Sequence, residues 1–520
     1  MAGGRPGAKD GMTKGPGGPA PVVEAYTAAE EQFNRRRRTI GLWLGPVVFL
    51  GLLALPMPGL SGEAHRLAAV LGFVIVYWVT EAIPLSATAV AGPILAIMMR
   101  VGPARQVLAP FADPIIFLFM GSFILAEAMY VHGLDRRIAF QALSMRWVGR
   151  SQVRVLVVFG GVATVLSMWL SNTATTAMMF PIAMSIIGHL GGSKRGDRGV
   201  QGFALALMLI TAFGASIGGM ATPVGTPPNL IGIGVFERAT GVHISFAGWM
   251  IIGVPLAVIM FAFQAIYFRV TCLKGGGVVM GNTRLAAEEL RKLGPLSRGQ
   301  RNVLAAFGLT VALWLTPGML TLAGARDSAF AQAFNASIPE AVAAMVGALL
   351  LFVLPVNWAE RRFTVTWEQA VRIDWGIILL FGGGLALGSL TFSTGLAEAL
   401  GKGILAWIPS HTSLVLTMVF TAIAILVTEA ASNTASATMI VPIAIAVAEA
   451  AGVSALQPAL GATLGASMAF MMPVSTPPNA IVYSSGYVPI TAMIRHGLVI
   501  DLFGYVVVVV LVMLLGPLVV

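Results

Sequence analysis

The sequence predicts an all-α polytopic membrane protein built from two inverted-topology repeats, with about 11 transmembrane helices and two re-entrant hairpins. Of the 520 residues, 57% are hydrophobic and only 10% are charged, which is more apolar surface than a soluble core can bury. Apolar windows long enough to cross a bilayer follow one another from residue 39 to residue 518. The polar motif Ser-Asn-Thr interrupts two of these windows, and its second copy follows the first by 261 residues.

The first 38 residues are rich in Gly, Pro and Ala and end in four consecutive arginines. Such a segment cannot bury a core, so residues 1–38 are predicted to form a disordered basic cytoplasmic tail before a first transmembrane helix at 39–60. The net charge of +10 lies largely in short segments between apolar windows, where basic residues set topology. We predict a multi-pass protein of the cell (inner) membrane. The distribution of basic residues predicts an N-terminus in the cytoplasm and a C-terminus outside. Without a nucleic-acid reader motif, nucleic acid is not expected as a partner.

Two windows, 153–190 and 413–452, are too long for one helix and too short for two spans with a loop. The Ser-Asn-Thr motif breaks each window near its middle. Basic residues flank the first window on both sides, which places both of its ends in the cytoplasm, whereas the flanks of the second contain a single lysine. Each window is therefore predicted to be a re-entrant hairpin, and the two hairpins enter the membrane from opposite sides.

A two-fold internal repeat accounts for the duplication. The motif Thr-Pro-Pro-Asn also occurs twice, inside windows 202–236 and 456–487, and its paired prolines predict a broken helix in each. Residues 61–270 then form repeat 1 and residues 301–520 form repeat 2, joined by a cytoplasmic loop at 271–300. Because an odd number of crossings separates equivalent points, the repeats lie inverted in the membrane.

The hairpin tips have the chemistry of an ion-binding site. The second half-helix of each hairpin begins at the motif, where unpaired N–H groups and the positive end of the helix dipole favour an anion. The first half-helix ends there with free carbonyls, and a hydroxyl lies one turn earlier, Ser167 before Ser171 and Thr428 before Ser432. These oxygens suit a hard cation. The broken helices add carbonyls and a threonine hydroxyl at mid-membrane depth.

Each motif taken alone has a structural alternative, since Ser and Thr in membrane helices commonly bond to backbone and a Pro-Pro pair can simply kink a helix. Four such elements repeated in register favour a functional centre. The acids Glu81, Glu127 and Glu429 are either proton carriers or buried structural partners. No Lys or Arg falls within the motif segments, so co-bound cations would supply the countercharge of an anion.

Through these paired motifs, the chain from roughly residue 40 to residue 520 resembles the divalent anion:sodium symporters, the sodium-coupled di- and tricarboxylate transporters. The resemblance implies a homodimer of eleven-span protomers, each with a scaffold domain and a transport domain that moves as an elevator, and sodium ions as coupling ions. It implies a first sodium site at Ser167, Ser171, Asn172 and Gly225, and a second at Thr428, Ala431, Asn433 and Ser475. It implies substrate contacts from Ser171, Asn172, Thr173, Thr226, Ser432, Asn433, Thr434 and Thr476.

The predicted function is sodium-coupled uptake of a C4-dicarboxylate, such as succinate, malate or fumarate, across a lipid bilayer. The same fold could instead serve an anion exchanger or a proton-coupled carrier, or carry sulfate or citrate; the complete motifs with both upstream hydroxyls favour sodium. An intramembrane enzyme is the alternative of a different class. It would need a nucleophile with a base or a metal set, yet no histidine lies near either tip and Cys272 is the single cysteine. We therefore expect that the protein is not an enzyme.

Overall fold

A computed structural model describes residues 28–145, 147–148, 151–191, 198–273, 282–408 and 410–520. The helices of the first half are α1 (Ala28–Ala54), α2 (Gly62–Thr80), α3 (Leu85–Met98), α4 (Ala104–Leu108), α5 (Pro114–Val131), α6 (Leu134–Leu143), α7 (Gln152–Ser167), α8 (Asn172–Gly191), α9 (Arg198–Gly219), α10 (Pro227–Thr240) and α11 (Phe246–Cys272). Short 3-10 turns follow α4, at Ala109–Ala112, and the last helix, at Gly516–Leu518.

The second half is also helical apart from one small hairpin of strands. Its helices are α12 (Asn282–Lys292), α13 (Arg298–Leu322), α14 (Ala329–Ser337), α15 (Glu340–Val353), α16 (Trp367–Ala370), α17 (Trp375–Ser393), α18 (Leu396–Leu405), α19 (Ser413–Ala430), α20 (Asn433–Ala450), α21 (Leu456–Gly465), α22 (Pro477–Tyr483) and α23 (Ile490–Leu515). The strands β1 (Pro355–Asn357) and β2 (Arg362–Phe363) pair antiparallel.

The number of apolar helices agrees with a polytopic membrane protein. Within the described residues, ten helices are long and apolar enough to cross a membrane, and the pair α14 and α15, bent by 62°, raises the number to as many as eleven. The predicted fold class, an all-α polytopic membrane protein, is thereby confirmed. The inverted orientation of its two repeats stays a prediction.

Helix breaks occur at the duplicated motifs. In the first hairpin window α7 ends at Ser167 and α8 begins at Asn172, and in the second α19 ends at Ala430 and α20 begins at Asn433. Both broken helices resume at the Pro-Pro pair, because the preceding threonine is forced out of helical conformation. Thr226 has φ −147° and ψ 143°, and Thr476 has φ −144° and ψ 147°, so the chain turns in the same way at both positions.

Two sequence-based boundaries differ from the structure. Helix α1 begins at Ala28, so residues 28–38, which we assigned to a disordered tail, are helical; alanine and glutamate at its start are strong helix formers. The expected disorder of residues 1–27 lies outside the described residues. The loop at 271–300 contains α12, which packs against α6. Arg137 of α6 donates to the carbonyls of Leu293 (3.0 Å) and Gly294 (2.9 Å), anchoring the end of that loop.

A group of closely packed helices borders the hairpins. α5 packs on α15 and α3 on α17, and the contacts depend on glycine: a Cβ on Gly383 would come within 2.0 Å of the Ala89 carbonyl oxygen, and one on Gly121 within 2.6 Å of the Ala344 carbonyl carbon. α17 in turn contacts α10 and α20, which belong to the first broken helix and the second hairpin. The motif-bearing elements therefore lie directly against this helix group.

Candidate ion and anion site

The first hairpin tip brings several oxygen atoms together. Ser167 Oγ, at the end of α7, donates to Asn172 Oδ1 at 2.7 Å. The break after α9 folds back against this pair, since a Cβ on Gly219 would stand 2.4 Å from Asn172 Oδ1. A Cβ on Gly225 would stand 2.6 Å from the Gly219 carbonyl oxygen and 3.0 Å from that of Met168. A hydroxyl, an amide oxygen and two backbone carbonyls thus border one small space that only glycine leaves open.

The second tip repeats the central contact of the first. Thr428 Oγ1 lies 2.7 Å from Asn433 Oδ1 and 2.7 Å from the Ala466 carbonyl oxygen, and its single proton can be donated to either acceptor. Ser475 occupies the position of Gly225 in the other half; its hydroxyl lies 2.8 Å from the Glu429 carbonyl oxygen and donates its single proton to Glu429 Oε2 at 2.7 Å. The same hydroxyl–asparagine pair is therefore built twice, 261 residues apart.

An asparagine braces each broken helix. Asn229 Nδ2 donates to the carbonyls of Gly219 (2.9 Å) and Thr222 (2.8 Å). Asn479 Nδ2 makes the same two bonds 250 residues later, to Ala469 and Met472, at 3.0 Å each. Both asparagines are fully buried. The Asn of Thr-Pro-Pro-Asn thus satisfies carbonyls that the broken helix leaves without partners.

The two halves interlock at the site. α8, from the first hairpin, packs against α22 of the second broken helix, while α20, from the second hairpin, packs against α10 of the first. α10 also packs tightly on α21, since a Cβ on Gly232 would come within 2.0 Å of the Thr463 hydroxyl. Residues from both motifs of both halves consequently belong to one packed unit.

The residues that the family pattern assigns to sodium fit a hard cation. Hydroxyl, amide and carbonyl oxygens are the ligands such ions prefer, and the unwound backbone near Gly225 and Ser475 supplies carbonyls beside them. Ala431, at the end of α19, is extended (φ −135°, ψ 168°), which turns its backbone out of the helix. Ser171 differs from the others: it is exposed, and its Oγ accepts from Ala174 N at 3.2 Å and so caps α8. The assignment of these residues to sodium stays a prediction.

The residues predicted to contact the anion surround the starts of α8 and α20. Asn172, Thr173, Ser432 and Asn433 are half-buried, and Thr226, Thr434 and Thr476 are buried. Of the two motif serines, Ser171 caps its half-helix, whereas the Ser432 side chain makes no capping bond to α20.

Further residues at the tips were not singled out from the sequence. Thr175 and Ser436, one turn into α8 and α20, are separated by the same 261 residues, and each has a buried hydroxyl without a hydrogen-bond partner in the described part of the chain. Thr222 donates its hydroxyl to the Met168 carbonyl. The repeat offset would have revealed Thr175 and Ser436, whereas the role of Thr222 depends on the fold-back of the chain.

The three membrane acids have different surroundings. Glu81 ends α2 and pairs with Arg37 at 3.0 Å and Arg38 at 3.5 Å, which is a structural role. Glu127 is half-buried on α5 and faces the charge of Arg372. Glu429 is buried beside the second tip and is treated in detail below.

Among the residues that the structure describes, no group of three or more His, Cys, Asp or Glu side chains could hold a metal ion. The site consists instead of neutral oxygens and helix starts repeated in two halves. A family model described as "Sodium:sulfate symporter transmembrane region" matches residues 37–520. The chain belongs to this family. The resemblance to divalent anion:sodium symporters found in the motifs is thereby confirmed.

Several relatives match along most of the chain. A sodium-dependent dicarboxylate transporter, SdcS, from Staphylococcus saprophyticus is 36% identical over 484 residues, which cover 92% of this chain and 91% of that protein. SdcS from Staphylococcus aureus strain USA300 is 33% identical over 486 residues, with the same coverage. The chain is therefore similar to these transporters across both of its halves.

Solved structures of other transporters share the fold. The YdaH transporter of Alcanivorax borkumensis aligns with a TM-score of 0.53 at 13% identity, covering 94% of this chain and 97% of that one. MtrF of Neisseria gonorrhoeae aligns with a TM-score of 0.53 at 11% identity, covering 89% and 96%. At this identity the likeness concerns the fold alone.

Proposed function

We propose that the protein is a secondary active transporter that couples sodium entry to the uptake of C4-dicarboxylates such as succinate, malate and fumarate. The observation that carries the proposal is the hydroxyl–asparagine pair built twice, Ser167 with Asn172 and Thr428 with Asn433, at the starts of two helices. The relatives described as sodium-dependent dicarboxylate transporters support the same cargo and coupling ion.

Two helix starts suit an anion with two charged ends. The N–H groups at the start of α8 and of α20 favour negative charge, so each would take one carboxylate. The contacts would come from the motif residues Ser171, Asn172, Thr173, Ser432, Asn433 and Thr434, with Thr226 and Thr476 from the broken helices. Sodium ions beside each tip would lower the cost of bringing a dianion into a site without arginine or lysine.

The transport step would be an elevator movement within a homodimer. The hairpins, the broken helices, α11 and α23 would form the moving transport domain, and the helices around α5, α15 and α17 the scaffold. Close glycine contacts within the α3–α17 and α5–α15 pairs support a rigid scaffold. The orientation that accompanies this proposal places the protein in the inner membrane, with the N-terminus in the cytoplasm and the C-terminus outside.

Sulfate is the second candidate cargo, favoured by the description of the family model. Sulfate is a divalent anion with both charges on one compact group, so it would engage the two helix starts less evenly than a dicarboxylate. Exchange or proton coupling would keep the fold and change only the driving ion. An enzyme is not proposed, because the relatives and neighbours are transporters.

Uptake of radiolabelled succinate into proteoliposomes tests the proposal. We expect uptake with an inward sodium gradient and little without one, and competition by malate and fumarate in excess of that by sulfate. Asn172→Ala and Asn433→Ala should each abolish uptake while still inserting into the membrane. Asn302→Ala is the matched control, since this asparagine bonds to Thr364 and Pro355 away from the tips. Equal uptake with and without sodium would contradict the coupling, and sodium-driven uptake by both tip variants would contradict the site.

A further inference from the structure

A buried aspartate lies behind the second hairpin. Asp501, on α23, is only 3% exposed, and neither of its carboxylate oxygens has a hydrogen-bond partner among the described residues. Its carboxylate faces that of Glu429 and lies against the backbone of Phe470. α23 approaches closely here, since a Cβ on Gly497 would come within 2.3 Å of the Phe470 carbonyl oxygen. A buried carboxylate without a partner is strongly destabilising, so the arrangement requires a compensating group.

Glu429 does not supply that compensation. Its two oxygens accept hydrogen bonds from Met471 N (2.8 Å), Met472 N (3.1 Å) and Ser475 Oγ (2.7 Å), all neutral donors that favour the ionised carboxylate. Two ionised carboxylates are both acceptors, so they form no hydrogen bond with each other. Two buried carboxyl groups that face one another therefore need a proton or a metal cation between them.

The neighbouring helices offer no fixed countercharge. No basic side chain of the described residues forms a salt bridge with either carboxylate. On α23, His496 bonds to the Tyr267 hydroxyl of α11 at 2.9 Å, and the guanidinium of the exposed Arg495 approaches that histidine. On α11 the buried Gln264 is neutral. The countercharge for this pair must therefore come from a mobile ion, either a proton or a metal cation.

The pair exists in one half only. Met168 takes the place of Glu429 in the first half, 261 residues earlier. Gly253 of α11 and Gly497 of α23 approach the equivalent carbonyls of Met220 and Phe470, so these helices are related by 244 residues and Ala257 takes the place of Asp501. Glu429 directly follows Thr428, whose hydroxyl belongs to the second tip. A cation between the acids would therefore lie next to the second sodium site without a counterpart beside the first.

We propose that Asp501 and Glu429 together bind a further sodium ion, separate from the sites at the two hairpin tips. Asp501 supplies two oxygens that have no other partner, and Glu429 shares an oxygen while keeping its bonds to the chain after α21. Carboxylate oxygens are hard ligands suited to such an ion. The ion would link α23 to α19. It would also be one more sodium ion coupled to transport, and this part of the inference rests on the proposed function.

Equilibrium binding of radioactive sodium to the purified full-length protein, without dicarboxylate, tests this site directly. We expect Asp501→Asn and Glu429→Gln each to bind one fewer sodium ion per protomer than the wild type, and the double variant to lose no more than either single variant. Asp501→Glu should keep the wild-type number. Thr421→Val is the matched control, because it removes a buried, unpartnered hydroxyl from α19 without touching the acids. Gel filtration of each variant confirms the folded state.

An unchanged sodium number in Asp501→Asn would overturn the proposal, as would a double variant that loses two ions. A shared proton in place of sodium would give that unchanged number. If Asp501→Asn does not yield folded protein, the same binding assay on Glu429→Gln and Asp501→Glu tests the site. An unchanged sodium number in Glu429→Gln would then overturn the proposal. Succinate uptake is measured separately, so a wild type that binds the Asp501-dependent ion yet shows no sodium-driven uptake would contradict the proposed function alone.

Discussion

The two hairpin tips share one hydrogen-bond pattern and differ in the residues that hold the neighbouring backbone in place. Each has a hydroxyl paired with the motif asparagine at 2.7 Å, and each broken helix is braced by an asparagine that bonds two carbonyls. Beside the first tip stand Met168 and Gly225, whereas Glu429 and Ser475 occupy the same positions beside the second.

This difference shows that one backbone arrangement can be held in two ways. In the first half the chain is held by close steric fit, since Gly225 leaves no room for a Cβ against the Gly219 and Met168 carbonyls. In the second half a carboxylate accepts from Met471, Met472 and Ser475 and holds the chain by polar bonds. The first tip should therefore be sensitive to added volume, and the second to the loss of a donor or a charge.

The asparagine braces should be the most sensitive shared feature. Asn229→Leu and Asn479→Leu each remove two hydrogen bonds and leave two buried carbonyls unpaired, so we expect each to lower the free energy of unfolding by about 3 kcal/mol or more. Thermal unfolding in detergent measures the loss. Asn302→Leu, which also removes two bonds but from a less buried asparagine, should cost less. Losses that differ widely between Asn229 and Asn479 would show that the two braces are not equivalent.

Placing the residue of one half at the equivalent position of the other, at Gly225 and at Ser475, tests the comparison directly. Gly225→Ser places a Cβ 2.6 Å from the Gly219 carbonyl oxygen, and such overpacking typically costs about 1–3 kcal/mol. We expect sodium-driven uptake to fall by tenfold or more. Ser475→Gly adds no volume and removes one donor to Glu429, so uptake should fall only several-fold. A milder effect of Gly225→Ser than of Ser475→Gly in the proteoliposome assay would reverse this account.

The sequence identified the features that occur twice. The Ser-Asn-Thr and Thr-Pro-Pro-Asn motifs located the helix breaks because serine, asparagine and paired prolines act locally on the backbone. The bond between Thr428 and Asn433 could not be predicted, since it depends on how the chain turns at Ala431. Asp501 gave no repeat signal, because its counterpart is Ala257.

Local sequence also failed where tertiary contacts decide the boundary. α1 extends back to Ala28, and its arginines Arg37 and Arg38 pair with Glu81 at the C-terminal end of α2, so basic residues that resemble a solvated tail form part of a packed helix. The strands at Pro355–Asn357 and Arg362–Phe363 are too short to leave a periodic pattern.

The tip hydroxyls should have a smaller effect than the exchanged residues. Ser167→Ala and Thr428→Val each remove a hydroxyl from a predicted sodium site, and we expect a several-fold rise in the sodium concentration for half-maximal uptake, from a loss of about 1 kcal/mol. Thr428→Val should have the larger effect, because its hydroxyl also contacts the Ala466 carbonyl at 2.7 Å. Thr428→Ser keeps the hydroxyl and serves as the control. An unchanged sodium dependence in Ser167→Ala would remove that residue from the site.

The smallest expected effect concerns the far ends of the two broken helices. After α10, His243 Nδ1 lies 3.1 Å from Glu237 Oε2 and its Nε2 lies 3.8 Å from Glu340 Oε2, whereas α22 ends after seven residues at Tyr483. The hydrogen bond to Glu237 raises the pKa of His243, and the negative charge of Glu340 acts in the same direction against the opposing effect of burial.

Because the folded-state pKa is raised, this contact stabilises the protein fully below the ordinary histidine pKa of about 6.5, and the contribution is lost as the pH rises through the raised value. His243 is half-exposed, so we expect at most about 1 kcal/mol. His243→Gln should therefore melt at a lower temperature than the wild type at acidic pH and at the same temperature in alkali. Glu237→Gln should remove most of the difference, since it removes the main partner of the imidazolium. A difference in melting temperature between wild type and His243→Gln that does not change with pH would contradict this prediction. The imidazole would then act through packing, without a charge-dependent bond between α10 and α15.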